Sequence, residues 1–167
     1  ASRYQESLAM LERLGDFYST AVARNNLANI CHRRGDWTEA LKNYSGSLDE
    51  FSKAGDDRSR ASVLSNIASL SLKRGDVSRA LECYQEGLAL FEGLEDPAGA
   101  AKVLGNLGEL YRRRGERSLA REQYTRALEI HRRLGDCQGA AEMQANMDLL
   151  DMGGVESPAN IDDCLRQ

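Results

Sequence analysis

The sequence LGNLGELYRRRGERSLAREQY occupies residues 104–124, and its pattern returns twice at lower residue numbers. The three copies cover 24–44, 64–84 and 104–124, so the period is 40 residues. Two of them contain the tripeptide Arg-Gly-Asp, at 34–36 and 74–76, and the third has Arg-Gly-Glu at 114–116. A tripeptide that recurs at a constant period indicates an architectural element. We therefore interpret the tripeptides as turns; the alternative, an adhesion signal, would require secretion, and the N-terminal residues do not resemble an export signal.

The length and composition limit the classes of protein to which this chain can belong. The 167 residues suffice for one domain with a core, and 41% hydrophobic residues, 29% charged residues and 2 prolines predict an ordered globular chain. No apolar run approaches the ~18 residues of a membrane span. A net charge of -4 disfavours general binding to nucleic-acid phosphates. The cysteines lack metal or disulfide spacing, which favours buried thiols in a reducing cytoplasm; they are Cys31, Cys83, Cys137 and Cys164.

Gly-Asp pairs divide the sequence into helix-sized pieces. They begin at residues 15, 35, 55, 75 and 135, with Glu95-Asp96-Pro97 and Gly115-Glu116 at the two remaining places. Glycine supplies the left-handed residue that ends a helix, and aspartate accepts hydrogen bonds from the free amides that begin the next. Asp36 and Glu39 resemble a capping box, and Pro97 fits a first helical residue.

The apolar residues between these pairs have helical spacing, as in Leu41, Tyr44, Leu48 and Phe51, and no strand pattern occurs. We predict an all-α solenoid of stacked antiparallel helix pairs. The predicted organisation is a partial repeat at 1–14, repeats at 17–54, 57–94 and 97–134, and the first helix of a fourth at 137–152 within a solenoid spanning 1–152. Residues 153–167 are predicted to be a tail with a short capping helix at 158–166.

Small residues alternate with tyrosines at fixed places in the repeats. The small residues are Ala28, Ala68, Gly108, Ala40, Ala80 and Ala120, and the tyrosines are Tyr44, Tyr84 and Tyr124. This arrangement resembles the tetratricopeptide repeat, whose W-x2-L-G-x2-Y and A-x3-F pattern is matched by Leu104, Leu107-Gly108, Tyr111, Ala120 and Tyr124. The longer period and the missing terminal proline resemble the long-helix subclass of kinesin light chain, Leu-Gly-Asn repeat adaptors and bacterial regulatory proteins. The resemblance implies a right-handed superhelix.

One asparagine recurs in the same register of successive repeats. We call Asn26, Asn66, Asn106 and Asn146 the asparagine column. Asparagine is a mediocre helix former, so its repetition requires a reason. The resemblance implies that this column binds the backbone or a carboxylate of a peptide in the concave groove. The alternative is that the amides bridge neighbouring repeats by hydrogen bonds.

Further polar residues flank the column one and two helical turns along. They are Asn29, Glu109 and the cations Arg33, Lys73 and Arg113. We include all five in the candidate peptide-binding site, because a basic strip would favour acidic segments of a partner. The alternative is that the cations only complement helix C-termini and remain solvated.

The pattern predicts a protein-interaction scaffold or adaptor without catalytic residues, metal or cofactor. His32 and His131 are the only histidines, and neither has a ligand or triad partner at a suitable spacing. Two alternatives remain: a sensor or regulatory fragment of a larger signalling or transcription regulator, and a helical-repeat RNA reader. The acidic charge and the lack of groove aromatics disfavour RNA. Because the first residues align with a second helix, with Tyr4 over Tyr44, we also expect further preceding repeats or self-association through that end.

Overall fold

A computed structural model of the chain describes residues 10, 11 and 13–152. This part contains seven helices and no strand, so the all-α prediction is confirmed. The helices are α1 (Phe17–Arg34), α2 (Trp37–Ala54), α3 (Asp57–Lys73), α4 (Val77–Gly93), α5 (Pro97–Arg113), α6 (Arg117–Leu134) and α7 (Cys137–Met152).

The helix ends follow the local chemistry of the Gly-Asp pairs. Gly35 and Gly75, the centres of the two Arg-Gly-Asp tripeptides, have φ of 83° and 81° in turns between helices. The carboxylates of Asp16, Asp56 and Asp76 each accept a hydrogen bond from a backbone amide three residues later, at 3.0–3.1 Å. Both tripeptides are therefore turns, as predicted.

Two helix ends depart from the simple rule. The predicted capping box at Asp36 is wrong, because Asp36 makes no side-chain cap hydrogen bond. Glu39 is engaged instead by the Asn43 amide, which donates to its carbonyl at 2.8 Å and to its carboxylate at 3.1 Å. Glu95 stands where other turns have glycine and has a φ of 52°, a left-handed conformation that an L side chain adopts at a cost.

The chain divides into two compact units at Val103 and Leu104, inside α5. We call them the N-terminal and the C-terminal segment. In the N-terminal segment α1 packs against α2, α2 against α3, and α3 against α4. In the C-terminal segment α6 packs against α7. Each segment thus buries its apolar helix faces against sequence-adjacent helices, as stacked helix pairs do.

The alternation of small residues and tyrosines forms the core of both segments. Ala28, Ala68 and Tyr44 are almost completely buried in the N-terminal segment. In the C-terminal segment a Cβ added to Gly108 would lie 2.5 Å from Cε1 of the buried Tyr124. The ring therefore occupies the space that a side chain at position 108 would need.

Several predictions fall on residues outside the described part. These are the capping helix at 158–166, Cys164, and the alignment of Tyr4 with a second helix. Within residues 10, 11 and 13–152, no helix is long and apolar enough to cross a membrane.

Candidate functional site

The four residues of the asparagine column lie at exposed or half-buried positions of their helices. Asn26 and Asn106 are exposed, and Asn66 and Asn146 are half-buried. None of the four side chains has a hydrogen bond to another described residue, in contrast to the amides of Asn29 and Asn43. An amide can donate and accept at once, so each column member offers both functions to a bound chain.

A cavity of about 510 Å³ lies beside the column in the N-terminal segment. It is lined by residues from one face of α1: Asn26, Asn29, Ile30, His32 and Arg33. The structure thus brings three of the predicted site residues, Asn26, Asn29 and Arg33, to one surface. Lys73 reaches the same place from α3, because its Nζ lies 3.0 Å from His32 Nε2.

The side chain of Asn29 is bound by a tyrosine of the core. The Tyr44 hydroxyl, on α2, donates to Asn29 Oδ1 at 2.6 Å. The same hydroxyl lies 3.5 Å from His32 Nδ1, and the two rings meet edge to face with centroids 6.4 Å apart. Burial raises the pKa of Tyr44, so its proton is retained for this bond. The Asn29 oxygen is therefore occupied within the protein, while its nitrogen is not.

The tautomer of His32 follows from its contact with Lys73. An ammonium group only donates, so His32 Nε2 must be the unprotonated nitrogen and Nδ1 carries the proton. Burial lowers the pKa of His32, and the Lys73 charge lowers it further. Both effects favour the neutral imidazole that the contact requires.

The equivalent positions of the C-terminal segment carry a different cluster. Glu109 accepts from Arg112 Nε at 2.7 Å and from Arg113 Nε at 2.6 Å, and the Tyr124 hydroxyl donates to it at 3.3 Å. Hydrogen bonds from Arg112 are the main reason why the pKa of Glu109 falls to about 2, and burial opposes them. Burial, followed by the Glu109 charge, raises the pKa of Tyr124 to about 12.

The three cations of the predicted basic strip therefore differ in their partners. Arg33 is exposed and makes no ion pair with a described residue. Lys73 contacts a neutral imidazole. Arg113 is bound to Glu109, so the predicted site residues Glu109 and Arg113 largely satisfy each other. Only the N-terminal segment presents cations from this strip without a carboxylate partner in the described chain.

The remaining reactive side chains of the described part are three cysteines and His131. Cys31 and Cys83 are buried, Cys137 is exposed, and all three are free thiols. His131 Nδ1 lies 2.8 Å from an oxygen of Asp136, whose other oxygen caps α7 through Gly139 N at 3.0 Å. Among the described residues, no group of three or more His, Cys, Asp or Glu is placed to hold a metal ion.

Comparison with known proteins begins with the family profiles. The tetratricopeptide repeat profile matches residues 19–93 and 59–133, which together cover more than half of the chain. The chain belongs to the tetratricopeptide repeat family. Comparison with the curated proteins gives no match.

Solved structures of other tetratricopeptide repeat proteins have a similar fold. BtubC (BKLC) of P. vanneervenii is 24% identical with a TM-score of 0.82, over 99% of this chain and 70% of that one. A kinesin light chain-like protein of Podosopora anserina is 16% identical with a TM-score of 0.66, over 92% and 79%. The N-terminal domain of C. elegans stress-induced protein-1 is 16% identical with a TM-score of 0.63, over 78% and 96%. At these identities the likeness concerns the fold.

Sequence reasoning did not identify the contact between Tyr44 and Asn29. The repeat pattern predicts that Tyr44 lies in the core, as it does, and it gives no partner for His32. The available signal was the register: position 29 and position 44 recur together as Asn29 with Tyr44 and as Glu109 with Tyr124. A polar residue that recurs opposite a core tyrosine is a candidate partner for its hydroxyl.

Proposed function

We propose that this chain is a protein-interaction scaffold or adaptor that binds an extended peptide segment of a partner through the asparagine column. The observation that carries the proposal is the column itself: four amides in one register, none with a hydrogen bond to a described residue. The family supports this proposal, because tetratricopeptide repeat proteins in general bind protein partners. The proposed binding residues are thus polar side chains that make no hydrogen bond within the described fold.

An extended peptide is the ligand that best fits such amides. Its backbone offers a carbonyl and an amide at regular intervals, and an asparagine side chain can bind both at once. Asparagines in helix positions one repeat apart would therefore bind chains of different sequence. Selectivity would then come from the residues beside the column, of which Asn29, Arg33 and Lys73 belong to the N-terminal segment.

The charge of this neighbourhood favours an acidic partner. Arg33 and Lys73 lack carboxylate partners in the described chain, and none of the described residues that line the cavity is acidic. A negative segment would approach faster and stay longer beside two such cations. Glu109 and Arg113 would contribute less to selectivity, because their charges already compensate each other.

Two other functions compete with this one. The chain could serve as the regulatory segment of a larger signalling or transcription regulator, in which case the ligand is another part of the same protein. Binding to RNA would instead require affinity that falls steeply as salt is raised, since it depends on phosphate contacts. The net charge of -4 favours a peptide over RNA.

Location and assembly belong to the same proposal. We place the protein in the cytoplasm, where the free cysteines Cys31, Cys83 and Cys137 would remain reduced. The exposed side chains of Met10, Leu14 and Tyr18 motivate self-association through the N-terminal end. Light scattering over a range of protein concentrations tests this; a constant monomer mass would exclude it.

The test uses peptides selected from a random library for binding to the whole chain. Each of Asn26→Ala, Asn66→Ala and Asn106→Ala should weaken the selected peptide by about 1–2 kcal/mol, on the order of tenfold in Kd. Thermal stability should stay the same or rise slightly, because alanine is the better helix former. Fluorescence anisotropy and circular dichroism on the same samples measure both quantities.

Gln85→Ala is the matched control, because Gln85 is an exposed amide on α4 and lies outside the column. It should leave peptide affinity unchanged. Lower melting temperatures of the asparagine variants with unchanged affinity would indicate bridging between repeats and overturn the proposal. The failure of every selection to yield a peptide would overturn it as well.

A further inference from the structure

Four side chains from three helices form a continuous hydrogen-bonded chain in the N-terminal segment. Lys73 on α3 contacts His32 on α1 at 3.0 Å, and His32 contacts Tyr44 on α2 at 3.5 Å. Tyr44 in turn donates to Asn29 on α1 at 2.6 Å. We call this the Lys73–Asn29 relay. It ends at the cavity, because Asn29 and His32 both line it.

The relay has only one consistent direction. Lys73 can only donate, so His32 accepts at Nε2 and carries its proton on Nδ1, facing the Tyr44 oxygen. Tyr44 gives its own proton to Asn29 Oδ1. One lone pair of the Asn29 oxygen is thereby used, which fixes the orientation of the amide and leaves its nitrogen, with two N–H bonds, as the group without a partner in the described chain. Among the described residues, only Tyr44 makes a hydrogen bond that distinguishes the oxygen of this amide from its nitrogen.

We propose that Tyr44 and His32 are positioning residues that hold Asn29 as a hydrogen-bond donor toward the cavity, so that the cavity selects the side-chain carboxylate of an acidic peptide. This inference rests on the proposed peptide-binding function. The neighbouring ligand-accessible groups have the same polarity: Arg33 and the remaining protons of Lys73 also donate. A carboxylate has only acceptors when ionised, so it matches the donors of Asn29, Arg33 and Lys73.

The relay also connects binding to the protonation of His32. The charged or titratable groups facing the imidazole are Lys73 from α3, Tyr44 from α2 and the adjacent Arg33 of α1. In the free protein Lys73 and burial disfavour the imidazolium. A bound carboxylate favours it; on protonation the contact of Nε2 with Lys73 is lost, whereas Nδ1 still donates to Tyr44. Binding of an acidic peptide should therefore take up a proton and strengthen as the pH falls.

The experiment uses the full chain and two fluorescein-labelled probes of about twelve residues, alternating Glu-Ser and alternating Gln-Ser. Both have amidated C-termini, so the Glu probe carries carboxylates only on side chains. The wild type should prefer the Glu probe, and lowering the pH from about 7.5 to about 5.5 should raise its affinity severalfold. A third probe, Gln-Ser with a free C-terminus, reports on capture of a terminal carboxylate.

Tyr44→Phe removes the hydroxyl that orients Asn29 and should weaken the Glu probe about fivefold, with little change for the Gln probe. Tyr124→Phe is the matched control in the C-terminal segment, where Glu109 keeps Arg112 and Arg113, and it should leave both affinities unchanged. His32→Asn keeps an N–H near Tyr44 but does not titrate. It should abolish the rise in affinity at low pH.

Asn29→Asp provides a second route to the answer if Tyr44→Phe lowers stability. It places a carboxylate at the end of the relay and should weaken the Glu probe by about tenfold or more, mainly through repulsion. Equal affinity of the wild type for the Glu and Gln probes would overturn the inference, as would preference for the free C-terminus alone. An unchanged Glu-to-Gln ratio in folded Tyr44→Phe would also overturn it. None of these results affects the proposed binding of a peptide through the asparagine column, which is tested separately by Asn26→Ala, Asn66→Ala and Asn106→Ala.

Discussion

The two segments use one position of the repeat in opposite ways. In the N-terminal segment Tyr44 donates to a neutral amide, Asn29, and the surrounding cations keep free donors. In the C-terminal segment Tyr124 donates to a carboxylate, Glu109, which also accepts from Arg112 and Arg113. The core tyrosine is thus common to both, and the residue opposite its hydroxyl decides the chemistry of the surface. One segment offers a donor site, and in the other a carboxylate pairs with two of the cations.

The pKa shifts express the same difference. The pKa of Glu109 falls to about 2, mainly through its hydrogen bonds with Arg112, so this cluster stays ionised and self-paired at any physiological pH. In the N-terminal segment the titrating group is His32, whose pKa is lowered by burial and by Lys73. Two repeats with the same backbone can therefore differ in pH sensitivity, because different side chains surround the hydroxyl of the same core tyrosine.

The largest expected effect comes from breaking the tyrosine contact in the C-terminal segment. Gly108→Ala places a Cβ 2.5 Å from Cε1 of Tyr124, whereas the N-terminal segment carries Ala28 and Ala68 at this register. The ring must move, with loss of its 3.3 Å bond to Glu109. We expect a destabilisation of about 1–3 kcal/mol, measured by urea unfolding.

Gly93→Ala is the control for this substitution, because nothing lies within 4 Å of the added Cβ. It should stabilise the chain by up to about 1 kcal/mol through helix propensity alone. If Gly108→Ala proved as stable as the wild type, the Tyr124 ring would have alternative positions. The two segments would then not share a fixed tyrosine hydroxyl.

Helix ends could be predicted from the sequence because their chemistry is local. The bond from Ser19 N to Asp16 spans three residues, and glycine φ values depend on the residue itself. Glu95 was recognised as a break in the pattern, but its left-handed backbone could not be inferred, since aspartate or proline beside it could end a helix in other ways.

The candidate site was only partly predictable because its contacts are long-range. Tyr44 and Asn29 are 15 residues apart, and Lys73 and His32 are 41 apart. Periodicity predicts that Asn29 faces away from the core, yet it cannot show which atom of its amide is occupied. The same limit applies to the ion pair between Glu109 and Arg113, two predicted ligand contacts whose pairing with each other periodicity does not show.

A second prediction concerns acid stability and separates the segments by pH. Glu109 has a pKa lowered from 4.5 to about 2, so its contribution to folding is complete above pH 4.5 and disappears as the pH falls through 2. Glu109→Gln should therefore be less stable than the wild type near neutral pH. We expect a difference of about 1 kcal/mol, reduced from the full pKa effect by solvent screening.

Urea unfolding over this pH range measures the difference, which should vanish at the acid end. Glu129→Gln, at an exposed position of α6, is the charge-matched control. A difference that persisted at the lowest pH would mean that Glu109 stabilises the chain through packing rather than through its charge. The contrast between the two segments would then be steric.

The smallest expected effect tests whether the C-terminal segment can be converted to the N-terminal type. Glu109→Asn keeps an oxygen for the Tyr124 hydroxyl and releases Arg112 and Arg113, so the Glu-Ser probe should gain affinity by about twofold to threefold, or roughly 0.5 kcal/mol. Glu129→Asn removes the same charge at an exposed position of α6, so any gain from net charge alone would appear in both variants. A gain restricted to Glu109→Asn, measured by anisotropy at two salt concentrations, would mean that this carboxylate is what closes the second surface to acidic ligands. Equal gains would mean that the position opposite the tyrosine does not control ligand charge, and the comparison between the segments would lose its functional meaning.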